Sequence, residues 1–468
     1  MTVNPLLSLD REIIGDIYTT TETMDNLTVL CDDYGSRFGG SEGEKQAVAF
    51  LQEKLRAYGV QNVHTEEVNY TVWTRGAATL EIVSPIQKTI PCISLPHSPA
   101  ATVEATLVDM GEGHPDHFGQ RAEELNGSVA MATSEVAPYG SARRIHRSEK
   151  YGRSLVAGAK AFIFVNHYPG FGPATGGIGH RGGVGAIPGI SVAYEDGMFL
   201  QRLIKRHGPV TVRIVTTDKN EPGVSWNVVG ELPGKRHPEE IVMAGCHYDG
   251  HDITQGAGDP ASGVVALLEA ARVLATHAAD LPRTLRFVFW GVEEIGLLGS
   301  RQYAEEHADA MDSIRFYLNM DAAGMLAGRQ DIVLNEWPAL ADLFERWRSE
   351  MADTFGIAQS VSAHSDHFPF LMAGVPTGGI EKADRTPSGR GYGHTHYDTL
   401  DKISLNDLRR AAVRAARWLA RIAGEEDWPV SRRSPEAVAE ILDLAQLPRR
   451  RRIPRHDDEV LRRKRPVR

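Results

Sequence analysis

The sequence predicts an α/β fold: a mainly parallel, mixed sheet sandwiched by helices, carrying a smaller, β-rich α+β insert. Two observations predict the sheet. Strand, loop and helix patterns repeat from about residue 219 onward, and polar residues gather where each strand pattern ends. A third predicts the insert. From about 100 to 218, short apolar runs ("SVAMAT", "AKAFIFVN", "IPGISV") alternate with loops rich in Gly, Pro and His.

The elements follow in order. Residues from about 10 to 60 read as helical: Ser41 and Glu44 have capping-box spacing, and Ala47, Phe50, Leu51, Leu55 and Tyr58 repeat at helical period. Gly59 is the stop. "AATLEIVSP" is strand-like, and "FGPATGGIGHRGGVGAIPG" is too glycine-rich for an element interior. "EIVMAGCHYD", "TLRFVFWG" and "IRFYLNMDAAG" read as strands. "ASGVVALLEAARVLATHA", a segment starting near Gly299, "PALADLFERWRSEMADTF" and "SLNDLRRAAVRAARWLARIAGE" read as helices. The end, "LPRRRRIPRHDDEVLRRKRPVR", is an arginine-rich tail. The expected division is 1–99 and 219–428 for the main domain, 100–218 for the insert and 429–468 for the tail.

Composition narrows the function. The 468 residues are 42% hydrophobic and 24% charged with a net charge of −10, which speaks against nucleic acid as a partner. No apolar run is long enough to cross a bilayer, so no membrane partner is expected. The start lacks a signal pattern, and three cysteines make no disulfide framework; a cytoplasmic location is the expectation.

Ligands in open α/β folds bind at the carboxyl ends of the strands. His247 and Asp249 end one strand, Asp259 precedes a helix, Glu293 and Glu294 follow another strand, and Asp321 ends a third. A later loop, "GHTHYDT", carries His394, His396 and Asp398. Imidazole with several carboxylates suits zinc, and two ions better than one. The donors divide naturally: His247 and Asp321 on one ion, Glu294 and His394 on the other, Asp259 between them. Adjacent residues of an extended chain point opposite ways, so only one of the two glutamates easily ligates, leaving the other to take a proton. Position alone leaves open which does which. "HSDHFPF" holds a second polar cluster, His364, Asp366 and His367, in which Asp366 is expected to cap a short helix.

With these residues the chain resembles the co-catalytic di-zinc exopeptidase family, which includes bacterial leucyl aminopeptidases, plasma glutamate carboxypeptidase and glutamate carboxypeptidase II. The matching motifs are "GCHYDGHDITQGAGDPASG", "FWGVEEIGLLGS", "LNMDAAG", "SDHFPFLMAGVP" and "GHTHYDTLDKI", with "GSRFGGSEGEKQAVAFLQEKL" near the start; the likeness covers about 1–80 and 220–425. The resemblance implies two zinc ions per chain, held by His247, Asp259, Glu294, Asp321 and His394 with Asp259 bridging. It makes Glu293 the general base and has Asp249 orient His247. It implies a protease-associated-like insert, peptide substrates and a possible homodimer.

The chain departs from the family pattern at several points. Pro260 follows the bridging aspartate, where family members tend to have a cis bond. That geometry costs about 2.5–4 kcal/mol before other residues but only about 0.5–1 before proline, so a cis Asp259–Pro260 bond is expected. Gly393 stands where many members have an oxyanion tyrosine, with Tyr392 one residue earlier as the candidate. His396 stands where many have proline. The loop "GGIEKADRTPSGRGYGH" offers Glu381 and Asp384 for a substrate amine, and Lys382, Arg385 and Arg390 for a carboxylate. An aminopeptidase is the leading expectation and a carboxypeptidase or dipeptidase the next. A glutaminyl-cyclase-like acyltransferase and a non-catalytic interaction protein stand behind them.

Overall fold

A computed structural model describes residues 4–445 apart from 142, 279, 326–329 and 382–391. Its first sheet has eight strands in the order Gln61–Thr74, Lys219–Leu232, Arg283–Trp290, His237–His247, Ile314–Asn319, Thr377–Glu381, Asp331–Leu334 and Ile357–Gln359. The central strands, from Arg283–Trp290 to Thr377–Glu381, run parallel, and the pairings outside them include antiparallel ones. This is the expected mixed sheet. Its central strands are buried on both faces, which is why Ile241–Cys246 and Leu285–Trp290 read as almost unbroken apolar runs.

Helices cover the sheet. Ser262–His277 packs against Leu405–Gly424, and Leu7–Thr19 lies against both. The amino-terminal helical stretch is three pieces, Leu7–Thr19, Glu22–Thr28 running into a wide turn over Val29–Asp33, and Glu42–Ala57. Ser41 caps the last, its Oγ accepting from Glu44 N at 3.1 Å, and Gly59 ends it with φ +86°. The Glu44 carboxylate does not return to Ser41. It accepts from Gly40 N at 2.6 Å and from the Ser225 hydroxyl.

The second sheet also has eight strands, in the order Lys88–Ile90, Ala78–Ser84, Thr211–Thr216, Ala101–Asp109, Val129–Thr133, Ala161–Val165, Gly189–Val192 and Ile93–Ser94. The strands over 78–94 therefore pair here. Leu80, Ile82 and Ile90 bury against Val212 and Ile214 in a core separate from that of the first sheet. The chain leaves and returns along a two-stranded ribbon, Gln61–Thr74 against Lys219–Leu232. No described helix is long and apolar enough to cross a membrane.

Helix Leu405–Gly424 buries three arginines. Arg417 and Arg421 converge on Asp10, with nitrogen–oxygen distances of 2.9 and 2.8 Å, and Arg414 reaches Asp353 at 2.7 Å. This network fastens the first helix to the helical layer. Burial alone would raise the Asp10 carboxyl, but the Arg421 and Arg417 hydrogen bonds outweigh it and hold it well below the usual range. A carboxyl depressed by folding stabilises above its unfolded pKa of about 3.9, and that contribution fades as pH falls. Asp10→Ala leaves two buried guanidinium groups without their partner and should cost about 3–5 kcal/mol. Thermal melts should show the full deficit at pH 7 and a smaller one at pH 3.

Candidate active site

The parallel strands deliver their carboxyl ends to one place, and the polar residues expected there arrive together. His247 closes strand His237–His247 and is 1% exposed. Its Nδ1 donates to the Asp249 main-chain carbonyl at 3.0 Å. That bond aims Nε2 outward, 3.4 Å from Asp259 Oδ1 and 3.3 Å from Asp321 Oδ1. Asp249 thus orients His247 through its carbonyl. Its carboxylate lies 3.7 Å from the same Nδ1 and also holds the next strand end, with Oδ1 accepting from Glu293 N at 3.0 Å and Oδ2 from Glu294 N at 3.2 Å. The turn that brings both amides to this clasp passes through Val292 at φ +51°.

The two glutamates then diverge. Glu294 is buried, its Oε2 lying 3.0 Å from His251 Nε2 and 3.6 Å from His394 Nε2. Burial would raise its carboxyl, but His251 and His394 bring it below the ordinary value. Glu293 is partly exposed. Burial of its carboxyl pushes it well above the ordinary range, against the pull of His247 and with the help of Asp366, Glu294 and Asp321. Neighbouring carboxyls driven apart in this way mark different chemical jobs.

Asp259 lies between the two groups, with Oδ1 toward His247 and Oδ2 3.5 Å from His394 Nε2. The Asp259–Pro260 bond is cis, as expected. The loop is held from beneath by the buried Asp398, whose carboxylate accepts from Gly258 N at 2.8 Å and Asp259 N at 3.0 Å. Arg37, fully buried, ties this loop to the one after His247 by donating to the carbonyls of Tyr248, Gln255 and Gly256. His396 is exposed, its ring tilted by 34° against Tyr397 at 4.1 Å, so His394 is the histidine brought to the site.

Two three-residue groups can each hold an ion, His247–Asp259–Asp321 and His251–Glu294–His394. Zinc bonds of about 2.0–2.2 Å at tetrahedral angles place neighbouring donors roughly 3.3–3.6 Å apart. The separations of 3.3 and 3.4 Å around His247, and of 3.5 and 3.6 Å around His394, fit that edge.

Other expected residues fare differently. Asp366 stands at the first position of helix His367–Met372 but makes no cap hydrogen bond. It is fully buried beside Ser300, close enough to act on Glu293 and His247, and burial pushes its carboxyl up to about 7. Tyr392 belongs to the turn before His394, its carbonyl accepting from Thr395 N at 3.0 Å. Glu381 ends its strand opposite Asp331. Arg385 and Arg390 lie outside the described residues.

Sequence reasoning missed three contributors, His251, Arg37 and Arg147, and named Asp398 without giving it a role. His251 and Asp398 sit inside the family motifs, and an H-x-D-x-H spacing from His247 was the available signal for the first. Arg37 gave none. Arg147 begins helix Arg147–Val156 beside the second sheet and is 8% exposed. It donates to Thr175 O and Gly177 O, both at 3.2 Å, and its charge is felt by Glu294 and Glu293. It makes no ion pair among the described residues. A Cβ on Gly176 would lie 1.9 Å from Arg147 Nη2, so the guanidinium needs that glycine. Thr175 N in turn donates to His394 O at 2.8 Å.

The pattern of Peptidase family M28 matches residues 227–419. Carboxypeptidase Q of Bos taurus is 26% identical over 400 residues, 84% of this chain and 83% of that protein. The aminopeptidase from Aneurinibacillus sp. strain AM-1 superposes with a TM-score of 0.68 at 25% identity, over 91% of this chain and 100% of that one. The peptidase M28 precursor from Shewanella amazonensis superposes with a TM-score of 0.76 at 24% identity, over 91% and 98%. Residues 227–419 thus carry the pattern of peptidase family M28 on a fold shared with an M28 peptidase precursor and an aminopeptidase, with paired donor groups of the co-catalytic zinc exopeptidase type.

Proposed function

We propose that the chain is a zinc-dependent aminopeptidase that removes residues one at a time from the free amino end of short peptides. The observation that carries the hydrolytic reading is the divergence of Glu293 and Glu294 on one Asp249 clasp. His247 and Asp321 would hold one zinc ion, Glu294 and His394 the other, with Asp259 shared. When bound, the pair supplies Lewis acidity to the scissile carbonyl and lowers the pKa of the attacking water. Glu293 takes that water's proton and delivers it to the leaving amine. Asp249 fixes the glutamate backbone, Asp398 fixes the Asp259 loop, and Tyr392 is the candidate for steadying the oxyanion.

A second reading, carboxypeptidase or dipeptidase action, is favoured by Arg147. An almost buried cation near the catalytic glutamates, without an ion-pair partner among the described residues, suits a substrate carboxylate. The relation to carboxypeptidase Q supports the same reading. The separate sheet supports a protease-associated-like unit running from about 76 to 218, a boundary earlier than the 100 expected from sequence. Three free cysteines are in keeping with a cytoplasmic location, and a homodimer is retained as part of the proposal.

Glu293→Gln should lower kcat by about 10²–10⁴-fold while zinc content stays at two ions per chain; near-normal turnover would remove Glu293 as the base. Asp398→Ala should weaken zinc binding by about 10–100-fold, measured by chelator competition. Mass spectrometry of products from end-blocked peptides separates the two readings. Stepwise loss from a free amino end, abolished by chelation, supports the aminopeptidase. Loss that requires a free carboxylate and disappears in Arg147→Met supports the second reading.

A further inference from the structure

We propose that Arg147 is a positioning residue for the metal site: by holding the span Thr175–Gly177 of the insert against His394 and Glu294, it sets the affinity of the ion position those two residues serve and leaves the other position alone. This rests on the zinc reading above and on neither choice of peptide end. Arg147 opens helix Arg147–Val156 and lies over the Phe164 ring at 5.7 Å. Its Nε donates to Gly177 O and its Nη1 to Thr175 O, both at 3.2 Å. A guanidinium offers such donors in a fixed fork, so it grips both ends of the three-residue span at once. The chain wraps the fork closely, since a Cβ on Gly176 would lie 1.9 Å from Nη2.

What the span touches gives the grip its consequence. Thr175 is fully buried, and its N donates to His394 O at 2.8 Å. His394 stands at φ +58°, a left-handed backbone that a non-glycine residue keeps only where its surroundings fix it. The Thr175 hydrogen bond is one such restraint. At the other end, a Cβ on Gly177 would lie 3.5 Å from Glu294 O and 3.3 Å from Ile295 Cα, so the span also runs along the main chain of Glu294. His247 and Asp321 lie at strand ends of the first sheet and make no hydrogen bond to the insert among the described residues.

Charge alone predicts the opposite effect. The positive charge of Arg147 reaches His394, Glu293 and Glu294, and a cation there repels a second cation. Removing it with no other consequence would tighten zinc binding. Removing a positioning residue loosens it, and only at the position of His394 and Glu294. A guanidinium that did no more than receive a substrate carboxylate would follow the charge prediction when no peptide is present.

The test is competition for zinc between a chelator and the full chain, without substrate, in the unaltered protein, Arg147→Met and Gly176→Ala, with thermal melts to show that each variant folds. Arg147→Met removes the fork and its charge. Gly176→Ala keeps the charge but forces the span and the fork apart. Each should lower one of the two zinc affinities by at least about tenfold, with the other unchanged. In an Asp321→Ala background the remaining ion should still respond to Gly176→Ala, and in a Glu294→Ala background it should not. Unchanged or tighter binding in either folded variant would overturn the proposal, as would equal loss at both positions. Should Arg147→Met not fold, Gly176→Ala alone decides. A chain that shows the expected loss yet hydrolyses no peptide would count against the functional reading and leave the positioning role standing. Failure to take up zinc at all would overturn both.

Discussion

Crowding of negative charge at one end of a parallel sheet is the constraint behind the rest of this structure. Asp259, Glu293, Glu294 and Asp321 converge around three histidines, His247, His251 and His394, in a largely buried space. Such a cluster is stable only when cations share it, since buried like charges either neutralise or find a counter-charge. The surrounding polar groups hold that arrangement in place. Asp249 fixes the backbone of the glutamates, Asp398 the backbone of Asp259, and Arg37 the two loops against each other. Each works through main-chain atoms, so the carboxylates themselves remain available to the ions.

The second sheet takes part in the same site. Thr175, from a loop beside that sheet, binds the main chain of His394, and Arg147 holds Thr175 and Gly177 in place. Beside Thr175, Arg75, stacked on Trp73 at 4.7 Å, donates to both oxygens of Asp252 at 2.6 and 2.7 Å, next to His251. The same guanidinium reaches the Ser94 carbonyl. Both histidines of the second ion position are thus braced by residues at or beyond the ribbon leading to the second sheet. Rearrangement of that unit would be felt at the metal site as a change in ligand geometry.

The sequence made the strand ends legible because buried parallel strands leave long apolar runs, and a polar residue closing such a run stands out. His247, Glu293, Glu294 and Asp321 were found this way. Ser41 and Gly59 were legible for a local reason, since caps are written in a few adjacent residues. The early strands of the second sheet were not. Whether 78–94 pairs with the main sheet or another depends on partners over 100 residues away, such as Arg213 opposite Glu81. Asp366 looked like a helix cap because its position in the chain is that of a cap. Burial beside Ser300 and its approach to Glu293 are tertiary facts. Arg147 gave no local hint for the same reason.

A final consequence concerns how one clasp yields two roles. Glu293 and Glu294 share Asp249, so the backbone cannot distinguish them; what differs is the company of their side chains. Glu294 meets two imidazoles, which favour its charged form and its service as a ligand. Glu293 is held by burial, and by the nearby Asp366, Glu294 and Asp321, toward a bound proton against the pull of His247. Cations on the ligand side would ease that repulsion and bring Glu293 toward the range in which it can both accept and return a proton. Under the proposed function the base would be tuned by the occupancy of the ion positions beside it, so peptide hydrolysis and metal binding would be coupled in this site.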